Sequence, residues 1–197
     1  MPRTHRDTPP AGLVAEHGRA RAAIDGGPGA APAGAVAAWL VTDERAELTC
    51  DLRRLAAAHH LTPHAGRYAG GGLEVIRHPV VHTSHDTFGY LIQAGGQRVA
   101  WAPEFFEFPD WAAGVDLMFA DAAGWARPIR FAHRAGGHAA TVEVARQAIR
   151  HPVRRLVFAR LGRPTITAID AGQVPPFGEF GTDGAAYTLS PAPGCYQ

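Results

Sequence analysis

Apolar residues along this chain fall into short runs cut by glycine and proline, and the character of the runs changes about a third of the way along. Residues 1–12 are polar and proline-rich and read as loop. The stretch from Leu13 to Ile24 is alanine-rich, with Leu13, Val14 and Ile24 as its apolar marks, and predicts a short helix. Asp25 to Gly34 is a glycine–proline breaker, and Val36 to Val41 can form a buried strand. Thr42 and Asp43 then offer N-caps, and Leu48, Leu52 and Leu55 give the following helix one apolar stripe.

After Gly70-Gly71-Gly72 the pattern turns to strands. Leu73 to Ile76, Pro79 to His82, Phe88 to Ile92, Val99 to Ala102 and Val115 to Ala120 are short apolar segments bounded by turns. Thr141 to Ile149 carries helical spacing at Val142, Ala145 and Ile149. Arg155 to Ala159 reads as a buried strand, and Thr165 to Ile169 and Ala185 to Leu189 as late strands. The sum is a layered α/β protein, read as one domain over residues 1–197, with residues 1–35 partly loop.

Composition narrows this picture in three ways. Hydrophobic residues make up 46% and charged residues 19%, which excludes global disorder. A net charge of +1 gives no broad nucleic-acid or membrane surface. Cys50 and Cys195 make neither a metal-spaced pair nor a disulfide framework, and the N-terminus lacks the apolar core of a signal peptide. A cytoplasmic protein is the expectation.

Candidate chemistry collects around Val80-Val81-His82, where a β-branched run delivers an imidazole to a turn that also holds His85 and Asp86. His138 follows Gly136-Gly137 at the start of a helix. Arg160 and Arg163 flank Leu161-Gly162 at the end of a strand, where two guanidinium groups can hold a phosphate or carboxylate. His85 and Asp86 are read as exposed turn residues, and His59, His60 and His64 as a solvated loop. Asp121 is read as a turn-stabilising or ligand-orienting acid. Trp101, Phe105, Phe106, Phe108 and Trp111 are read as core and loop packing that can also wall a pocket.

The order of these pieces resembles the metallo-β-lactamase fold superfamily, in its ribonuclease Z-like and cyclic-phosphodiesterase-like branches. The resemblance rests on His82 with Thr87-Phe-Gly-Tyr90, on Val99-Ala-Trp-Ala102 running into an acidic loop, and on Val115-Asp-Leu-Met-Phe-Ala-Asp121. Gly136-Gly-His138 opening a helix and Leu156-Val-Phe-Ala-Arg-Leu-Gly162 complete it. It implies an αββα sandwich. Family members hold two metals through a His-x-His-x-Asp-His loop, a His before a Gly-Tyr strand, a bridging Asp and a final His.

Placed on Thr4 to Leu13, the loop keeps His5, has Asp7 for the second His, and has Pro9 and Pro10 for the Asp and His. His82 keeps its ligand position, Glu104 stands for the bridging Asp, and Arg160 for the final His. Proline has no side-chain ligand atom and Arg stays cationic, so the resemblance implies that the dinuclear centre is lost. A centre of at most one zinc or manganese remains, held by His5, Asp7, His82 and Glu104, with Glu104 and His138 as the catalytic groups and His138 as general acid. The implied function is a metal-dependent hydrolase of phosphoester or related ester bonds in small-molecule substrates. The rival is an inactive relative that binds anions at Arg160 and Arg163 or serves as a scaffold. On this placement the chain starts almost at the metal loop and lacks the usual first strands, so a homo-oligomer is expected to cover the trimmed sheet edge.

Overall fold

A computed structural model describes residues 11–132 and 136–190. The chain divides into two compact units between Ile76 and Arg77.

The first unit opens with a hairpin where a helix was expected. β1 (Gly12–His17) pairs antiparallel with β2 (Ala20–Asp25), from Gly12 opposite Asp25 to His17 opposite Ala20. Gly18 takes a positive φ of 58° in the two-residue turn, the backbone geometry that closes a tight hairpin. Helix propensity of the alanines is overridden because β2 is buried along nearly its whole length. β3 (Ala38–Leu40) then lies parallel to β2, with Ala22 opposite Ala38 and Ile24 opposite Leu40.

The end of β2 ties this sheet to the loop that follows β3. The buried Asp25 carboxylate accepts the Thr42 N–H at 2.7 Å and its hydroxyl at 3.0 Å, and the Trp39 indole N–H donates to the Asp25 carbonyl. Thr42 and Asp43 are therefore not helix caps. Asp43 instead accepts the Arg45 and Ala46 N–H groups in a turn, and helix α1 (Cys50–Ala58) begins later, capped by Thr49 on the Leu52 N–H. β4 (Tyr68–Gly70) pairs antiparallel with the start of β5 (Leu73–Val80).

The second unit carries the site. β6 (Thr87–Ala94) and β7 (Gln97–Ala102) form a hairpin whose turn residues Gly95 and Gly96 both have positive φ, the conformation a two-residue turn needs there. β7 continues through a 3-10 turn at Asp110–Ala112 to β8 (Leu117–Ala122), to which it lies parallel. A short antiparallel pair, β9 (Ile129–Arg130) and β10 (Gly137–His138), leads into α2 (Thr141–Arg150). β11 (Leu156–Leu161) lies parallel to both β8 and β12 (Glu179–Phe180), which gives the order β12-β11-β8-β7-β6.

β8 is buried at every position, as expected for a strand with a parallel neighbour on each side. Helix α2 covers the sheet with Thr141, Val144, Ala145 and Ala148, an i, i+3, i+4, i+7 stripe packed against Met118, Leu156 and Phe158. Two late strands expected from the sequence are absent. Thr165 to Ile169 lies inside helix α3 (Arg163–Asp170), which starts on Gly162 and Pro164, and residues 185–189 have no regular structure. Among the described residues no helix is long and apolar enough to cross a membrane.

Candidate functional site

Five segments of the second unit converge on one cluster. His82 lies in the bend after β5 and is doubly tied to β10: its Nδ1–H donates to the Gly137 carbonyl at 2.8 Å, and its own carbonyl accepts the Gly137 N–H at 2.7 Å. A carbonyl can only accept, so Nδ1 carries a proton and Nε2 is the ring atom turned toward Glu104. Gly136 makes this approach possible. It has φ +112°, and a Cβ there would lie 2.1 Å from the His82 carbonyl oxygen.

Glu104 sits in the loop leaving β7, with only 7% of its surface exposed. Its Oε1 is 3.5 Å from His82 Nε2 and 2.7 Å from Nη1 of Arg160. Arg160 reaches that oxygen because β11 bulges. Phe158 pairs with Ala120 and Arg160 with Asp121, so Ala159 is the extra residue and the strand re-aims the side chain after it.

Asp121, the next-to-last residue of β8, is fully buried. Its carboxylate accepts the Phe105 N–H at 3.1 Å, the Ala123 N–H at 2.8 Å and His138 Nδ1–H at 2.7 Å. One acid thus fixes the loop next to Glu104 and orients His138, leaving Nε2 of that ring as the atom able to bind or move a proton. The His82 and His138 rings lie 4.7 Å apart, and Phe131 sets its ring edge-on to both.

The charges are mutually set. Burial alone would lower the His82 pKa, but the Glu104 carboxylate and the Gly137 carbonyl favour the imidazolium and raise it above 6.5. Burial would likewise raise Glu104, yet its hydrogen bond to His82 and the charge of Arg160 bring it below 4.5.

Of the residues singled out in the sequence, the structure brings His82, Glu104, His138 and Arg160 together. His5 and Asp7, with Pro9 and Pro10, lie outside the described residues. Arg163 is exposed at the start of α3 and makes no ion pair with the cluster among the described residues. The link from His138 to Asp121 was not foreseen, although a carboxylate inside an all-buried strand must have partners and so signals a network. Beside the cluster, Phe105, Phe106, Phe108, Ala139, Val144 and His151 contribute to the lining of a cavity of about 320 Å³, the size of a small-ligand site.

His82, Glu104 and His138 each offer one ligand atom, and these atoms lie within 4.8 Å of one another. Two imidazoles and a carboxylate match a three-ligand catalytic zinc set, and both rings have Nδ1 committed to an oxygen, which leaves Nε2 for a ligand. The donor chemistry therefore fits one divalent ion, with Arg160 as a competing cation on the same carboxylate.

No family model and no curated protein matches the sequence. Solved structures do match the fold. The metallo-β-lactamase fold protein YhfI from Bacillus subtilis is 14% identical, with a TM-score of 0.66 over 90% of both chains. A diphosphatase from the PhnP family is 16% identical, with a TM-score of 0.63 over 87% of this chain and 80% of its own. Zn(2+)-bound PqqB from Methylobacterium extorquens is 14% identical, with a TM-score of 0.62 over 90% of this chain and 87% of its own. The chain has the metallo-β-lactamase fold, the α/β sandwich class to which its motifs pointed.

Proposed function

We propose that this chain is a metal-assisted hydrolase of phosphoester or related ester bonds that uses a single ion, zinc or manganese. The observation that carries the reading is a buried cluster in which His82 Nε2 and Glu104 Oε1 stand 3.5 Å apart, with the second imidazole, His138, held beside them. His82 and Glu104 would hold the ion, together with any donors supplied by His5 and Asp7. When bound, the ion would lower the pKa of a water molecule toward neutrality.

The chain's own groups divide the remaining roles. His138 exchanges a proton at Nε2, because Asp121 holds its Nδ1–H and fixes the ring's orientation. Arg160 binds a phosphoryl or carboxylate oxygen of the substrate. Phe131, edge-on to both imidazoles, keeps bulk water from that side. The neighbouring cavity accepts the part of the substrate that does not react. The diphosphatase among the structural neighbours supports the phosphoester class.

A second reading is favoured by one observation. Arg160 already pairs with the Glu104 carboxylate, so the cluster is charge-balanced without a metal, which fits an inactive relative that binds anions at Arg160 or serves as a scaffold. Metal analysis of the purified protein, with turnover of bis-p-nitrophenyl phosphate, separates the two. Near one equivalent of metal, lost in His82→Ala together with turnover, supports the hydrolase. Absence of bound metal under metal-replete conditions ends that reading and leaves the anion-binding one.

A further inference from the structure

We propose that Arg160 acts as an internal competitor for the metal, so that metal and an oxyanion substrate bind cooperatively. The inference rests on the single-ion reading and adds to it an order of events and a reason for the arginine. One oxygen, Oε1 of Glu104, receives both Arg160 Nη1 at 2.7 Å and the approach of His82 Nε2 at 3.5 Å. It is thus the oxygen on the side of the His82 donor, the one a metal shared with His82 would take.

The two members of the Arg160–Glu104 pair differ in exposure. The Glu104 side chain is 9% exposed and sits in a loop pinned next to Asp121, whereas the Arg160 side chain is 44% exposed. When an ion arrives, the guanidinium is the group that can move. Its displacement breaks a charge-assisted hydrogen bond and leaves two cations close together, so metal alone binds poorly.

An anion with two or three oxygens reverses this. A guanidinium forks onto phosphate-like oxygens with two parallel hydrogen bonds, so a phosphoester group draws Arg160 off Glu104 and offsets its charge. The carboxylate is then released to the ion. By linkage, whatever factor the anion adds to metal affinity the metal adds to anion affinity. The centre is therefore metallated most strongly when a substrate of the right charge is present.

The test is calorimetric titration of Zn²⁺ into the apo protein at matched ionic strength, in chloride and in sulfate, a tetrahedral dianion that binds zinc weakly. Wild type should bind zinc about tenfold more tightly in sulfate than in chloride, the equivalent of one charge-assisted hydrogen bond. Arg160→Gln should bind zinc in chloride about tenfold more tightly than wild type, and sulfate should then change its affinity little. Equal zinc affinity of wild type and Arg160→Gln in chloride overturns this inference while leaving the proposed hydrolase standing. So does a sulfate effect of the same size in both proteins. If neither protein binds zinc, in sulfate or in chloride, the single-ion reading falls and this inference falls with it. His82→Ala, which should lose zinc in every condition, shows that the ion measured is the one at this site.

Discussion

His82 and His138 lie with ring centroids 4.7 Å apart, and each has a buried carboxylate beside it, yet the two pairs are held in different ways. Asp121 is fully buried and bound by three N–H donors, two of them from the backbone, so nothing about it can move without undoing the chain path. Among the described residues Glu104 is bound by side chains alone, and one of these is a half-exposed arginine. The first pair is a fixed strut that sets the position of a proton-bearing ring. The second is an exchangeable contact, suited to a carboxylate that changes partners. A buried acid held by backbone donors is preorganised, whereas one held by a flexible cation is poised for a ligand.

Removing the strut should have the largest effect. Asp121→Ala leaves the Phe105 and Ala123 N–H groups and the His138 ring without their acceptor in a buried place, so chemical denaturation should show a loss of about 3 kcal/mol or more. Glu104→Gln, measured in metal-free protein, keeps an oxygen for Arg160 and should lose only about 1 kcal/mol. Comparable losses in the two variants would erase the distinction. If the chain turns over a phosphoester, Asp121→Asn should also lower kcat by about a hundredfold while zinc affinity at His82 holds.

Gly136→Ala comes next, because it attacks the contact that carries His82 to the cluster. A Cβ would meet the His82 carbonyl oxygen at 2.1 Å, and the residue holds φ +112°, so the bend or β10 must shift. Differential scanning calorimetry should show a destabilisation of about 2 kcal/mol, less than for Asp121→Ala. Zinc binding should weaken as well, since His82 loses its pairing with Gly137.

The pH dependence of the metal-free protein sharpens the comparison further. His82 has a raised pKa, so the stability it contributes is complete below its ordinary value of 6.5 and is lost as pH rises through the raised value. Glu104 has a lowered pKa, so its contribution is complete above 4.5 and is lost as pH falls through the lowered value. Wild type should therefore lose stability on going alkaline from pH 6.5, and His82→Gln should remove that slope. An unchanged slope in the variant would assign the dependence to another group.

How much of this was legible in the sequence differs between the two units. In the second unit the runs that became β6, β7, β8 and β11 are apolar, β-rich and bounded by glycine, and they fold as they read. In the first unit the alanines from Leu13 to Ile24 suggested a helix, but they lie in a hairpin whose inner strand is buried against β3. Helix propensity is weak where burial decides. The hairpin and β3 also place three strands between residues 12 and 40, whereas the placement of the metal loop on residues 4–13 implied that the first strands, ahead of that loop, were lacking. Thr165-Ile-Thr167 read as a strand because its residues are β-branched, yet Pro164 in the first turn starts a helix there.

At the site, the four functional residues were visible through the resemblance, while their wiring was not. Asp121 and His138 are 17 residues apart with no spacing rule to join them, and the extra residue Ala159 that aims Arg160 exists only in the register between two strands. Such links come from tertiary geometry, so a sequence can name the groups without saying which carboxylate each ring uses.

The smallest expected effect is also the one that could most directly break the comparison. Arg160→Ala in metal-free protein removes a cation whose side chain is 44% exposed, and its pair with Glu104 should contribute no more than about 1 kcal/mol. Solvent screening and the entropy of holding a long side chain both reduce it, and His82 remains to partner the carboxylate. A denaturation midpoint within about 1 kcal/mol of wild type places Arg160 among the movable parts of the centre. A loss as large as that of Asp121→Ala would instead make the Glu104–Arg160 contact a second strut. The carboxylate would then not be available to exchange between arginine and metal, and the centre would have to be understood as fixed throughout.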